Sequence, residues 1–250
     1  MISRSRLLAL TFALWRSADM KVRVMRVLEQ AVLVVALSWA LTGQIRTDGL
    51  PYAVFLLCGI SPWFYFKEIV ERSLECSSEY SGLLSTWGCE PAMFCAAQAL
   101  CALPTLLLWT VISVTAALFC GISLKAVYLL PYLLLCNMLN AVAQGMLASA
   151  FAPLFSAAEE GIQITLPLLF WTTPIVWPFV YAVPDFTLLL MRLNPLFYLT
   201  EGMRMWLLSG ILPPLVHTVL FFGAASATGV FGLFSMNRVW RGLPSQSALR

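Results

Sequence analysis

Charged side chains are scarce in this sequence: Lys, Arg, Asp and Glu make up 11% of the 250 residues, and there is a single histidine. A soluble domain carries about 25% charged residues. With 60% apolar residues and a mean hydropathy of +0.85, the composition indicates a membrane protein and excludes a soluble globular domain. The net charge of +3 is too small to indicate a nucleic-acid partner.

Motifs for catalysis and for metal binding are also missing. The sequence has no G-x-S-x-G element, no P-loop and no pair of intramembrane acids. None of the seven cysteines forms a C-x-x-C pair, and His217 has no second histidine to share a metal ion. We therefore expect no catalytic residues, no metal and no cofactor in this chain, and cysteines that pack as small hydrophobic residues.

Long apolar runs, separated by short charged segments, make up most of the chain. A helix of about 20 apolar residues crosses a bilayer. The sequence therefore predicts an all-α polytopic membrane protein, with one transmembrane domain over 1–250. An amphipathic interfacial helix, not a cleaved signal peptide, is expected over 4–20. Six transmembrane helices are expected at about 25–43, 49–67, 92–121, 126–151, 162–183 and 213–236.

The basic residues set the orientation of these spans. With the N-terminus inside, the inner segments hold eleven of the 15 Lys and Arg residues, and the outer segments hold four. By the positive-inside rule, both termini are cytoplasmic. Segment 67–91 is then cytoplasmic, and segment 185–210, before the last span, lies on the outer side.

Four glutamates in the cytoplasmic segment form a regular pattern. Glu68, Glu71, Glu75 and Glu79 are spaced three, four and four residues apart, which places them on one face of a helix that continues the second span. Two interpretations are open. The face is either a docking surface for a basic partner or a solvated face supported by a Glu68–Arg72 pair.

Polar and aromatic side chains within the spans are candidates for a substrate path. Three amides at spacings of three and four share one face of the fourth span, which should point at protein or water. Hydrogen bonding between helices is the favoured explanation of these amides, and a substrate path is the alternative. The aromatic residues fit either an interfacial belt or a lining on which sugar rings stack. The candidate path residues are Trp63, Tyr65, Asn137, Asn140, Gln144, Trp171 and Trp177.

Four segments, in order along the chain, carry a resemblance to a known family. They resemble elements of the permease subunits of type-2 ABC exporters, in the branch that exports capsular polysaccharide and O-antigen. The segments are PYAVFLLCGISPWFYFKEIVERSL (51–74), SGLLSTWGCEP (81–91), FWTTPIVWP (170–178) and LNPLFYLTEGMR (193–204).

The resemblance implies two functional segments. Residues 67–91 would be the cytoplasmic segment that couples the permease to an ATPase, although Glu90 stands where family members often have a basic residue. Residues 185–210 would form short re-entrant outer helices that gate the exit, with their charged residues facing water, a partner protomer or the polymer. The coupling residues would be Glu75, Glu79, Tyr80, Leu83, Leu84, Trp87, Glu90 and Pro91. The outer gate residues would be Arg192, Asn194, Pro195, Tyr198, Glu201 and Arg204.

The resemblance also implies partners and a location. The chain would be a transport subunit, not an enzyme, in a bacterial inner membrane, where it would homodimerise and recruit two copies of an ABC ATPase that holds ATP and Mg. Its cargo would be a lipid-linked polysaccharide, passed to periplasmic and outer-membrane export proteins. The short chain favours capsule over O-antigen export. The alternatives are an O-antigen exporter, a drug or lipid permease, an intramembrane lipid-modifying enzyme, and a scaffold of an envelope assembly.

The coupling assignment leads to a first prediction. Leu83→Asp or Leu84→Asp places a charge in an apolar part of the coupling segment, and it should weaken the complex with the ATPase. The measurement is co-purification of a P-loop ATPase with the chain in mild detergent. A complex that survives both changes would show that the coupling assignment is wrong.

Overall fold

In the computed structural model, the described part of the chain is all-helical. The described residues are 4–17, 20–45, 47, 50–79, 91–122, 124, 127–151, 158–178, 194–205 and 215–242. They form eight α-helices and one 3-10 turn, Val127–Leu129. The helices are α1 (Arg4–Ser17), α2 (Met20–Leu41), α3 (Tyr52–Glu79), α4 (Pro91–Phe119), α5 (Leu130–Phe151), α6 (Ala158–Thr172), α7 (Pro195–Arg204) and α8 (Leu215–Gly242).

Five of these helices are long and apolar enough to cross a membrane: α2, α3, α4, α5 and α8. They coincide with five of the six predicted spans. The exception is the span expected at 162–183, where α6 has 15 residues, begins earlier at Ala158 and ends at Thr172. Pro174 explains the early end, because proline lacks an N–H and disfavours helical backbone in the residue before it. Residues 179–183 lie outside the described part, so the sixth crossing stays a prediction.

Helix α3 is the centre of the bundle. Leu56, Ile60, Tyr65 and Ile69 are fully buried along its length, and it packs against α4, α5 and α7. Its 28 residues extend for about 42 Å at 1.5 Å per residue, which exceeds the roughly 30 Å hydrocarbon core. The second span therefore continues as a helix beyond the apolar region, as predicted.

The helices alternate in direction from α2 to α5, and α3, α5 and α8 run parallel to one another, which defines two ends of the bundle. At one end, Ser149 of α5 donates to the carbonyl of Ser73 in α3 at 2.9 Å, and Cys95 of α4 packs with Met236 of α8. At the other end, Val54 of α3 packs with Met203 of α7. We call these the inner end and the outer end, following the predicted orientation. The base of the coupling segment and helix α7 thus lie at opposite ends.

Helix α1 presents apolar side chains on two sides. Leu10 and Leu14 are buried against Met93 and Phe94 of α4, whereas Phe12 is exposed on another side of the helix. One apolar side of α1 thus packs on the protein, and another apolar side chain is free to contact lipid. This arrangement is typical of a helix at the boundary between the hydrocarbon core and the headgroups. The interfacial position expected for 4–20 stays a prediction.

The acidic face proposed for α3 requires a correction. Glu68 is only 4% exposed and accepts hydrogen bonds from Arg26, Arg72 and Thr105, so it belongs to the helix interface and not to a docking surface. The Glu68–Arg72 pair expected on a solvated face does form, but in a buried setting. Glu71 is half-exposed and lies 3.7 Å from Lys67. A buried carboxylate is stable here because two guanidinium groups compensate its charge.

Helices α5 and α8 approach most closely at a glycine. A Cβ on Gly232 would lie 2.9 Å from the backbone nitrogen of Leu147, whereas a Cβ on Gly223, in the same helix, would have no atom within 4 Å. Close contact through small residues is a common way to join membrane helices.

We expect Gly232→Val to destabilise the protein by about 1–3 kcal/mol, because backbone atoms of α5 cannot move aside cheaply. Gly223→Val is the matched control, since it makes the same change in helix propensity in open space. Thermal unfolding in detergent measures both. Equal losses for the two variants would contradict the packing argument.

Candidate functional site

The outer end holds a break in helix α6. After Thr172 the chain turns through Thr173–Trp177, and Pro174, Ile175 and Val176 are buried there. Buried carbonyl groups that leave a helix need other donors, because an unpaired one costs about 1–3 kcal/mol. One donor comes from α3, where the Tyr52 hydroxyl binds the carbonyl of Val176 at 2.9 Å.

Arg204, the last residue of α7, supplies the other donors. Its guanidinium donates to the carbonyls of Pro174 and, at 2.6 Å, Ile175, while its Nε donates to the carbonyl of Phe55 at 3.3 Å. The guanidinium carbon also lies 3.6 Å from the centre of the Phe55 ring, which is a cation–π contact. Arginine suits this position because its planar group directs several N–H donors at fixed angles. We call this set of contacts the arginine clamp.

The charge of the clamp is partly compensated. Arg204 is 5% exposed, and its Nη1 lies 2.7 Å from the carboxylate of Glu201, which is partly exposed. Burial lowers the pKa of the Arg204 guanidinium, and the Glu201 carboxylate opposes that shift.

The start of α7 is tied to the same break. Pro195 occupies the first turn, and the Asn194 side chain caps the helix by accepting from the backbone N–H of Leu196 at 3.0 Å. The Asn194 amide also donates to the Thr173 hydroxyl at 2.8 Å. Both ends of α7 therefore hold the broken end of α6.

The clamp requires a correction to the expected outer gate. Arg204 was expected to face water, a partner or the polymer, but it points into its own protomer, where the carbonyls of the broken helix attract it. Tyr198 is buried, Glu201 is partly exposed, and Pro195 begins α7. Arg192 lies outside the described residues.

Sequence reasoning missed Phe55, whose carbonyl accepts from Arg204 in the clamp, and two residues beside the clamp, Gly59 and Thr173. A Cβ on Gly59 would lie 2.4 Å from Nη2 of Arg204, so only glycine leaves room for the guanidinium. The usable signals were a glycine inside an apolar span and a Thr-Pro pair that breaks another helix.

The aromatic candidates for a substrate path do not share one surface. Trp63 is buried against Phe170, and Tyr65 is fully buried with its hydroxyl on the carbonyl of Ala99 at 3.0 Å. Trp171 is 56% exposed and Trp177 partly exposed, and Trp177 Nε1 donates to the carbonyl of Trp171 at 3.0 Å. The last two are accessible from outside the protomer.

The three amides of α5 also differ. Asn137 donates to the carbonyl of Leu133 in its own helix at 2.9 Å, and Gln144 is half-buried. Asn140 is buried, and neither polar atom of its side chain has a hydrogen-bond partner among the described residues. A path role for these residues stays a prediction.

The coupling residues fall mostly outside the described part. Glu75 and Glu79 lie on the last turns of α3, and Pro91 begins α4. The residues that the structure does not describe are Tyr80, Leu83, Leu84, Trp87 and Glu90. Among the described residues, no group of three His, Cys, Asp or Glu side chains converges to hold a metal ion.

These observations define a class, a multi-pass helical membrane protein whose outer end carries a short helix clamped to a broken one. The family model described as ABC-2 type transporter matches residues 9–208, which is 200 of the 250 residues. The chain belongs to the ABC-2 type transporter family. It is a transport permease, and permeases of this family normally pair with an ATPase subunit. No curated protein matches the chain.

Gly59→Ala should disrupt the clamp. The methyl group would overlap Nη2 of Arg204 and separate the guanidinium from the carbonyls. The loss of these hydrogen bonds should cost more than the roughly 1 kcal/mol by which alanine stabilises a helix relative to glycine. We expect faster hydrogen–deuterium exchange in α7 and in 173–177. Gly202→Ala is the matched control, because its nearest neighbour is 3.6 Å away. Unchanged exchange in Gly59→Ala would show that the clamp does not hold these segments.

Proposed function

We propose that this chain is the permease subunit of an ATP-driven exporter of lipid-linked capsular polysaccharide in a bacterial inner membrane. Two copies form a homodimer, each recruits one ABC ATPase subunit, and periplasmic and outer-membrane export proteins receive the polymer. ATP and Mg bind to the ATPase. This chain positions the lipid-linked substrate and converts the motion of the ATPase into opening of the path.

The arginine clamp is the observation that carries the transport mechanism. It binds α7 to the broken end of α6 and to the carbonyl of Phe55 in α3, so these three elements are joined at the outer end. Helix α3 then runs to Glu79 at the inner end, and its last part, from Lys67 onward, belongs to the predicted coupling segment 67–91. A displacement of the coupling segment is therefore transmitted along one helix to the outer gate.

The burial pattern favours a path between two protomers. The interfaces of α3 with α4 and α5 are filled, with Tyr65, Ile69, Leu106 and Leu133 fully or almost fully buried. A polymer would have to separate these helices to pass through one protomer, whereas a surface shared by two copies needs no such opening. Trp171 is exposed beside the break of α6 and offers a flat ring to a sugar at that surface.

The test is the location of surface polysaccharide in cells that lack this chain. We expect the polymer to disappear from the surface, to accumulate in the cytoplasm, and to return with the wild-type chain. Chemical identification of the lost glycan would identify the exported polysaccharide and would distinguish capsule export from O-antigen export. An unchanged surface glycan without accumulation would contradict polysaccharide export and favour a drug or lipid permease.

A further inference from the structure

The inner end contains a cavity that the transport function does not use. It has a volume of about 130 Å³ and lies where α2, α3 and α4 meet. Its lining residues are Arg26, Val27, Glu68, Arg72, Cys101, Pro104, Thr105 and Leu108. The lining therefore has a polar part and an apolar part.

The polar part carries excess positive charge. Glu68 accepts from Arg26 Nη1 at 3.0 Å, from Arg72 Nη2 at 2.6 Å and from the Thr105 hydroxyl at 2.7 Å. One carboxylate thus faces two guanidinium groups, which leaves a surplus of one positive charge. Each guanidinium has five N–H donors, and the Glu68 contact uses few of them.

The nearest other acids are engaged elsewhere. Glu71 and Glu29 lie 3.7 Å and 4.0 Å from the ammonium group of Lys67, in a neighbouring pocket that Arg26 and Glu68 also line. They do not line this cavity. A positive surplus in partly buried surroundings attracts an anion, and guanidinium groups bind phosphate in a two-pronged geometry.

The apolar part of the lining determines which anion fits. Pro104 and Leu108 lie one turn apart on α4 and are both exposed, so an apolar strip leads from the guanidinium groups along the membrane-facing side of α4. The cavity is also level with α1, because the Cys101 thiol contacts the carbonyl of Thr11 at 3.3 Å. Because α1 is predicted to be an interfacial helix, we expect this level to correspond to the lipid headgroups.

We propose that this cavity binds the phosphate group of an anionic phospholipid. Arg26 and Arg72 bind the phosphate, and an acyl chain lies along Pro104 and Leu108. The bound lipid links α2 to the inner part of α3, at the start of the predicted coupling segment 67–91. A free phosphate ion would use the same guanidinium groups but not the apolar strip. The proposal does not depend on the identity of the exported cargo.

The test is native mass spectrometry of the full-length chain in detergent, titrated with phosphatidylglycerol, phosphatidylcholine or inorganic phosphate. We expect phosphatidylglycerol to bind more tightly than phosphatidylcholine and inorganic phosphate not to displace it at equal concentration. Equal affinity for the two lipids would overturn the proposal. Complete displacement by inorganic phosphate would show a site for free phosphate and would equally overturn it.

Two variants with opposite expected effects separate lipid binding from a structural role. Arg26→Gln removes a phosphate ligand and should weaken phosphatidylglycerol binding about fivefold, from the roughly 1 kcal/mol that one basic residue contributes near an anionic lipid. Glu68→Gln keeps the shape but removes the competing charge, so it should strengthen binding by a similar factor. If the network only held the helices together, both changes would weaken binding.

Arg238→Gln is the matched control, because Arg238 is an exposed arginine of α8 outside the cavity. Its removal should leave the phosphatidylglycerol affinity unchanged. A loss equal to that of Arg26→Gln would show that net charge, and not the cavity, determines binding. If Arg26→Gln does not fold, the direction of the Glu68→Gln change and the lipid comparison in the wild-type chain still decide the question.

Discussion

The outer half of this structure depends on one constraint, that carbonyl groups in an apolar interior must be paired with donors. Pro174 ends α6 inside the bundle and leaves the carbonyls of 174–176 without helical partners. Arg204 and Tyr52 supply the donors from two other helices. A helix break that would be costly alone becomes the point at which α3, α6 and α7 are joined. The position of α7 follows from this requirement.

Arginines are found at both ends of α3, buried at the outer end and partly buried at the inner end. At the outer end Arg204 binds mainly to carbonyl dipoles, with Glu201 as a partly exposed counter-ion. At the inner end Arg26 and Arg72 share the single carboxylate of Glu68. The first arrangement is well supplied with acceptors, whereas the second has more positive than negative charge. This difference is why we assign a holding role to the clamp and an anion-binding role to the inner cavity.

Much of the helical architecture was predictable from local sequence. Five predicted spans coincide with long apolar helices, because a bilayer forces apolar runs of about 20 residues to pair their own backbone groups. The start of α7 also has a local signal, because an Asn cap followed by proline is typical of a helix N-terminus. Helix α6 ends at Thr172, before the end expected at 183, because hydropathy does not register that Pro174 stops a helix, and the crossing itself stays a prediction. Burial of Glu68 was missed because helical periodicity shows which residues share a face, but not which face is covered.

The sequence by itself determined the apolar helices and, with them, the class of the protein. Those properties depend on composition and on neighbours within one helical turn. Only the tertiary structure decided that Arg204 binds the carbonyls of 174–175, that Gly59 leaves room for it, and that Glu68 joins three helices. These contacts join residues 29 to 149 positions apart, and their pairing follows from how the helices pack, which no local pattern encodes.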